Sequence, residues 1–152
     1  MKHTLDELDK KILALLMEDA SKPYTDVSKE LDVSGGTIHV RMKKLIESGV
    51  VLGSRLVISP AKLGYTICAF LGIYLEKGSK YREVVAILET FPEIVELHYT
   101  TGEYSIFAKV FCRDTDHLRD LLNDKIQPIN GVERTETFIS LERSVEREIQ
   151  LP

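Results

Sequence analysis

Residues 27–46 constrain the fold of this chain more than any other segment. Apolar residues mark the inner faces of two short helices that follow each other closely: Val27, Leu31, Ile38, Met42, Leu45 and Ile46. Asp32 lies between them, where a left-handed backbone is usual and Asp is better tolerated than most residues. Ser34 can cap the second helix, because its hydroxyl can accept a hydrogen bond from a free backbone N–H. This pattern predicts a helix-turn-helix, in which the second helix enters the major groove of DNA.

Positive charge collects on the outer side of the second predicted helix. Between Ser34 and Arg55 there are four basic residues and one acidic residue, although the whole chain carries a net charge of −4. A locally basic patch on an acidic protein suits DNA contact at chosen sites better than non-specific coating of DNA. The candidate DNA-binding residues are Ser34, Gly35, Gly36, Thr37, His39, Arg41, Lys43 and Lys44.

Basic residues and glycines would contribute to DNA binding in different ways. Arg41, Lys43 and Lys44 can neutralise phosphates, which supplies affinity but does not read the base sequence. Gly35 and Gly36 let the backbone come close to DNA. Two alternatives remain open: the lysine pair can be an ordinary solvated helix face, and the arginine can brace the helix through an acidic neighbour.

Length and composition limit the kind of protein this can be. The 152 residues suffice for one ordinary domain or two small ones, and two small halves would lean on a partner chain for a full core. There is no run of about 18 apolar residues and no charged-then-apolar leader, so we expect a cytoplasmic protein with no membrane partner. Cys68 and Cys112 lie in apolar strand-like segments without disulfide or zinc spacing, and we expect both to be reduced core residues.

The first half of the chain is predicted to be mainly helical. The predicted helices span residues 4–19, residues 24–31 and the segment between Ser34 and Gly49, and Thr4 or Asp6 can cap the first of them. Residues 50–59 are predicted to form a strand with a break at Gly53, either a small wing or a linker strand. Pro60 and Gly64 mark the domain boundary, which gives a first domain over residues 1–60 and a second over residues 61–152.

The second domain is predicted to alternate strands and helices. The predicted strands span residues 65–76, 93–100, 104–112 and 132–141, and the predicted helices span residues 79–91 and 114–127. This order is βαββαβ, the ferredoxin-like unit, whose two helices cover one face of the sheet. Two of the strands are apolar on both faces, so the other face also needs a cover, and we expect a second copy of the chain to supply it as a homodimer. The predicted fold class is α+β, with a winged-helix-like helix-turn-helix domain before the ferredoxin-like domain.

Four sequence motifs are spread along the chain, and together they are specific enough to indicate a family. They are Leu8-Asp9-Lys-Lys-Ile12-Leu13, Val33-Ser34-Gly-Gly-Thr37-Ile38-His-Val-Arg41, Ile58-Ser59-Pro60-Ala-Lys-Leu63-Gly64-Tyr65 and Tyr99-Thr-Thr-Gly102-Glu103-Tyr104-Ser105. With this domain order, the chain resembles the Lrp/AsnC family of feast/famine transcription regulators. The resemblance implies that the C-terminal domain dimerises, that dimers assemble into octamers or similar discs, and that a small effector, often an amino acid, binds between dimers. It also implies that Thr37 and His39 contact base edges. Asp32 departs from the family's usual turn glycine.

The resemblance places the effector at the hairpin around Gly102. The candidate effector-binding residues are Thr100, Thr101, Gly102, Glu103, Tyr104, Ser105 and, more weakly, Thr135 and Thr137. Backbone groups beside Gly102 and the neighbouring hydroxyls would bind the zwitterionic head of an amino acid. The junction and hairpin strings resemble the asparagine-responsive members most, which implies asparagine, although Glu103 stands where those members carry histidine. Two alternatives remain open: a plain β-turn, and a Tyr104 that belongs to the core by alternation with Ile106 and Ala108.

These observations predict a sequence-specific transcription regulator that senses an amino acid. One alternative is an architectural protein that wraps DNA regardless of effector, and the other is an enzyme that carries a regulatory domain. The four histidines, His3, His39, His98 and His117, are scattered, and no catalytic or nucleotide-binding motif occurs. His98 and Glu96 could be a metal or acid/base pair, but we expect a surface salt bridge. We therefore predict no enzyme activity, no metal and no cofactor other than the effector.

Overall fold

A computed structural model describes residues 4–152 of the chain, so His3 lies outside the described residues. The chain divides into two compact units. One comprises residues 4–57 together with Val145–Pro152, and the other comprises Ile58–Ser144. Among the described residues, no helix combines the length and the apolar character needed to cross a bilayer.

The first unit contains the three predicted helices, α1 (Glu7–Glu18), α2 (Tyr24–Glu30) and α3 (Gly35–Glu47). Asp6 caps α1 in a capping box: its carboxylate accepts the backbone N–H of Asp9 at 2.8 Å, and the carboxylate of Asp9 accepts the N–H of Asp6 at 3.3 Å. The buried core of this unit consists of Ile12, Leu13, Val27, Ile38, Met42 and Leu45. Leu151, near the end of the chain, packs against the same core.

The turn between α2 and α3 has the predicted geometry. Asp32 has a φ of 53°, in the left-handed region, and Ser34 caps α3 by accepting the N–H of Thr37 at 3.1 Å. One predicted core residue is wrong: Ile46 is 54% exposed. Ile46 follows the buried Leu45 directly, and one residue along a helix turns the side chain by about 100°, which takes it out of the buried stripe.

Residues 50–59 form no strand, so the prediction of a wing or linker strand is wrong for the single chain. The segment is apolar enough for a strand, but it has no partner: no residue from 50 to 59 takes part in the sheet pairing. Without a partner, a strand leaves its backbone N–H and C=O groups to water. The side chains are exposed accordingly, Leu52 at 95% and Leu56 at 86%.

The second unit is one antiparallel sheet of four strands, β1 (Ile67–Leu75), β2 (Ile94–Tyr99), β3 (Ile106–Cys112) and β4 (Val132–Ile139). The strand order β2-β3-β1-β4 is that of the predicted ferredoxin-like unit. The helices are α4 (Tyr81–Leu88) and α5 (Thr115–Asp120), and α5 continues into a π-helical turn over Leu121–Ile126. Val84 and Leu88 of α4 are buried, while Ile87 of the same helix is 42% exposed.

The two faces of the sheet differ. One face carries the core, with Ala69, Leu71 and Ile73 of β1 and Ile106, Ala108, Val110 and Cys112 of β3 all buried against the helices. On the opposite side lie aromatic residues that are half-buried or exposed in the single chain, and we call this side the open face: Phe70, Tyr74, Tyr104, Phe107 and Phe138. Both cysteines are free; Cys112 is a core residue as predicted, but Cys68 is only half-buried.

Strand β2 lies at one edge of the sheet and its pairing with β3 is irregular. The register shifts between Ile94 and Glu96, which leaves Val95 without a partner in the ladder. Glu96 accepts a hydrogen bond from Lys109 at 2.9 Å, and the ring of His98 lies 3.8 Å from the same carboxylate. His98 and Glu96 are both exposed, and the ion pair of Glu96 with Lys109 lies at the surface. Among the described residues, no group of three or more His, Cys, Asp or Glu could hold a metal ion.

Glu93, just before β2, is a buried carboxylate with two cationic or polar partners. Its Oε1 accepts hydrogen bonds from Lys125 Nζ at 2.7 Å and from the Nε2 of His117 at 3.1 Å. His117 Nδ1 accepts the backbone N–H of Arg113, so the ring proton of the neutral imidazole lies on Nε2 and points at Glu93. Burial opposes the charge, but the hydrogen bonds from Lys125 and His117 outweigh it and lower the pKa of Glu93 to about 2.

Candidate functional site

The outer side of α3 exposes most of the predicted DNA-binding residues. His39, Lys43 and Lys44 are exposed. Lys43 makes a long ion pair to Glu47, 3.8 Å from Nζ to Oε1, and both side chains of that pair are well exposed. Such surface pairs contribute little, so both lysines can turn toward a phosphate at small cost.

The start of α3 is held by side-chain contacts. The hydroxyls of Ser34 and Thr37 lie 2.8 Å apart, and the ring of His39 meets the ring of Tyr24 edge to face at 5.2 Å. A Cβ added at Gly35 would meet nothing within 4 Å, so the backbone here is open to a close approach. The geometry orients Thr37 and His39 from a fixed helix start.

Arg41 braces α3 against α1. This is the alternative in which the arginine braces the helix through an acidic neighbour. Its NH1 donates to Asp6 Oδ2 at 2.5 Å and to Asp9 Oδ1 at 2.9 Å. The hydrogen bond from Arg41 lowers the pKa of the Asp6 carboxyl. Because two carboxylates engage its guanidinium, Arg41 acts first as a structural link between the two helices.

Sequence reasoning missed Val40 as a candidate for DNA contact. Its side chain is 56% exposed, and it lines a shallow groove of about 580 Å³ together with Gly36, Thr37 and Lys44. An exposed aliphatic side chain beside polar ones can contact a thymine methyl group in the major groove. The signal was available, since Val40 falls outside the buried stripe of α3.

The hairpin between β2 and β3 has a closed base and an exposed tip. The N–H of Thr100 donates to the carbonyl of Ser105 at 3.2 Å, and the hydroxyl of Thr100 donates to the carbonyl of Tyr104 at 2.6 Å. Thr101, Gly102 and Glu103 form the exposed tip, and Gly102 has a φ of 108° that side-chain-bearing residues rarely adopt. The hairpin therefore offers backbone groups and a carboxylate to solvent from a fixed base.

Tyr104 lies on the open face, so the alternative that placed it in the helix-covered core is wrong. The N–H of Ser105 donates to the carbonyl of Ile73 at 3.1 Å, and regular pairing of β3 begins only at Ile106. Alternation counted back from Ile106 therefore fails at this point. The ring of Tyr104 contacts Tyr74 edge to face at 5.0 Å and lies 6.0 Å from the ring of Phe107.

Thr135 and Thr137 do not join the hairpin in the single chain. Both lie on β4, which is separated from β3 by β1. Thr135 pairs with Ile73 and accepts a hydrogen bond from Gln127 Nε2 at 3.3 Å, and Thr137 pairs with Leu71. Their partners on β1 are core residues, so the two threonines are on the helix-covered side of the sheet.

Glu136 is the residue near the hairpin that sequence reasoning missed. Its carboxylate accepts hydrogen bonds from Tyr104 at 2.8 Å, from Tyr74 at 3.1 Å and from Arg134 at 2.6 Å. The hydrogen bond to Glu136, together with burial, raises the pKa of Tyr104 to about 12. Strand alternation does separate Glu136 from the two threonines beside it, but it cannot name the tyrosines that the carboxylate meets.

Known proteins resemble this chain over both units. Residues 5–51 match the model of the winged helix-turn-helix DNA-binding family, and residues 68–149 match the model of the Lrp/AsnC ligand binding domain. The regulatory protein AsnC of Haemophilus influenzae is 45% identical over 148 residues, which cover 97% of this chain and 99% of that protein.

Solved structures agree with the sequence comparison. The structure of E. coli AsnC has 42% sequence identity and a TM-score of 0.94, covering 98% of this chain and 100% of that one. A feast or famine regulatory protein from M. tuberculosis complexed with L-methionine has 26% identity and a TM-score of 0.90, covering 98% of this chain and 100% of that one. The relatives are regulators, not enzymes. This chain therefore belongs to the Lrp/AsnC family of transcription regulators, with a DNA-binding helix-turn-helix and a ligand-binding domain.

Proposed function

We propose that this regulator binds asparagine at the hairpin of residues 100–105. The observation that carries the proposal is the shape of that hairpin: its base is locked by Thr100 and Ser105, and its tip exposes backbone groups. Backbone N–H groups suit the effector's carboxylate. Backbone carbonyls and the Glu103 carboxylate suit its ammonium group.

The choice of asparagine rests on likeness to relatives. Proteins named AsnC from two bacteria are 43–45% identical to this chain over 97% of its length. The M. tuberculosis relative complexed with L-methionine supports an amino acid as the class of ligand. Glu103 makes the tip more acidic, which favours an effector whose ammonium group faces it and disfavours an acidic side chain such as that of aspartate.

A calorimetric titration of the full chain tests the effector. We expect asparagine to bind with a lower Kd than glutamine, aspartate or methionine. Tighter binding of another amino acid would support an amino-acid sensor whose effector is not asparagine. If none of the four binds to protein that has been unfolded, dialysed and refolded to remove bound ligand, the amino-acid proposal fails.

We also propose that α3 reads DNA with His39 and Thr37 at base edges and with Lys43 and Lys44 at phosphates. Replacing both lysines by alanine should weaken binding to a duplex selected from a random library. It should also reduce the slope of log K against log salt by about 1.8, since each phosphate contact contributes about 0.9.

The matched control is Lys62→Ala with Lys77→Ala, which removes the same charge from exposed positions of the other unit. An equal loss in this control would mean that only net charge matters. Equal affinity of the unmodified protein for selected and shuffled duplexes, unchanged by asparagine, would instead favour an architectural protein that wraps DNA regardless of effector.

We further propose that the open face pairs with the same face of a second copy, and that such dimers assemble into an octamer or similar disc in the cytoplasm. The support is the set of aromatic side chains on that face, including the stacked rings of Phe70 and Phe107 with centroids 5.9 Å apart. The helices of this unit, α4 and α5, pack against the opposite face. Phe70→Asp should shift the chain toward monomer in analytical ultracentrifugation, and an unchanged sedimentation profile would refute this interface.

A further inference from the structure

Tyr104 belongs to two structural features at once. Its carbonyl accepts the hydroxyl of Thr100 and closes the base of the hairpin, while its ring lies on the open face. The ring sits directly against the backbone of β1, since a Cβ added at Gly72 would overlap the ring carbons of Tyr104. The contact between the Tyr104 ring and β1 therefore fixes the position of this end of the hairpin.

The far end of the ring is fixed by Glu136. The hydroxyl of Tyr104 donates to Glu136 Oε2 at 2.8 Å. The other oxygen, Oε1, accepts from Tyr74 at 3.1 Å and from Arg134 at 2.6 Å. The guanidinium of Arg134 also lies 3.4 Å from the centroid of the Tyr74 ring. Glu136 is therefore held by two neighbours of its own and presents its second oxygen to the hairpin tyrosine.

From these contacts we propose that Glu136 is a positioning residue for the effector hairpin and acts through the hydroxyl of Tyr104. This inference rests on the proposed binding of asparagine at the hairpin. Fixing the base of a binding loop before the ligand arrives lowers the entropy lost on binding, and removal of the contact therefore weakens affinity. Because Tyr104 lies on the open face, the same contact links the effector hairpin to the surface proposed for pairing with a second copy.

The test is a double-mutant cycle on asparagine binding by the full chain, measured by calorimetry. Tyr104→Phe removes one hydroxyl and keeps the ring, and Glu136→Ala removes the acceptor. We expect each substitution to raise the Kd for asparagine about tenfold. The Kd of the double variant should be no higher than that of either single variant, because both substitutions remove the same contact.

Tyr24→Phe is the matched control, since it removes a hydroxyl from a half-buried tyrosine of the other unit and leaves Glu136 and its neighbours intact. We expect its Kd to stay within about twofold of the unmodified protein. Thermal melts of all variants separate loss of fold from loss of positioning. Unchanged affinity in Tyr104→Phe and Glu136→Ala, or an equal loss in Tyr24→Phe, would overturn the positioning role. Failure of the unmodified chain to bind asparagine would overturn the proposed effector instead.

Discussion

Replacing Glu93 by glutamine tests how much the buried carboxylate before β2, with its partners Lys125 and His117, stabilises the fold. The Glu93 side chain is 7% exposed, and its pKa is lowered from 4.5 to about 2. The gap between these two values corresponds to about 3 kcal/mol of folding free energy, at about 1.4 kcal/mol per pH unit. Glu93→Gln keeps the shape and one acceptor but removes the charge that Lys125 faces at 2.7 Å. We expect it to lower the free energy of unfolding at pH 6.5 by up to that amount.

The pH dependence makes this prediction specific. The folded-state pKa of Glu93 is depressed, so its contribution is complete above pH 4.5 and is lost as pH falls toward about 2. The difference between the unmodified protein and Glu93→Gln should therefore shrink by about half at pH 3. Urea unfolding followed by circular dichroism, at one protein concentration and at both pH values, measures it.

Glu96→Gln is the control for Glu93→Gln. Glu96 lies in β2, three residues after Glu93, and is also paired with a lysine, but its side chain is 51% exposed. An exposed pair of this kind contributes below about 1 kcal/mol. The stabilising role of Glu93 is refuted if Glu93→Gln lowers the free energy of unfolding no more than Glu96→Gln does at pH 6.5. It is also refuted if Glu93→Gln lowers that free energy equally at both pH values.

Two further predictions concern packing. Leu45→Ala, in the fully buried core of the first unit, should lower the free energy of unfolding by about 2–5 kcal/mol, while Ile46→Ala beside it should change it by less than about 1 kcal/mol; equal losses in urea titrations would contradict the burial pattern. Gly72→Ala should cost about 1–3 kcal/mol and change the near-ultraviolet circular dichroism of tyrosine, because its methyl group would overlap the ring of Tyr104; an unchanged melt and spectrum would contradict the close approach.

Local patterns sufficed for much of the fold. The helices of the first unit depend on contacts three or four residues apart, the Ser34 cap spans three residues, and the left-handed Asp32 reflects the preference of a single residue. Strand β1 showed its two apolar faces because side chains alternate along any strand. The order of strands then followed from the known geometry of the βαββαβ unit.

Contacts between distant residues were beyond the same reasoning. Arg41 meets Asp6 and Asp9, which lie more than 30 positions earlier, so the sequence could suggest a brace but not its partners. Residues 50–59 have the composition of a strand, yet a strand forms only where a partner is available. Strand alternation places Tyr104 on the core face, but the hydrogen bond from the N–H of Ser105 to the carbonyl of Ile73 interrupts that alternation, and the ring of Tyr104 lies on the open face.

The irregular edge strand β2 has a consequence for how copies of this protein meet. An exposed strand edge is a template on which another chain can add a strand, and such addition has no natural end. The register shift at Val95 and the charged Glu96 on this edge interrupt the regular row of donors and acceptors that strand addition needs. We therefore expect the β2 edge to resist the open-ended strand addition that produces fibres.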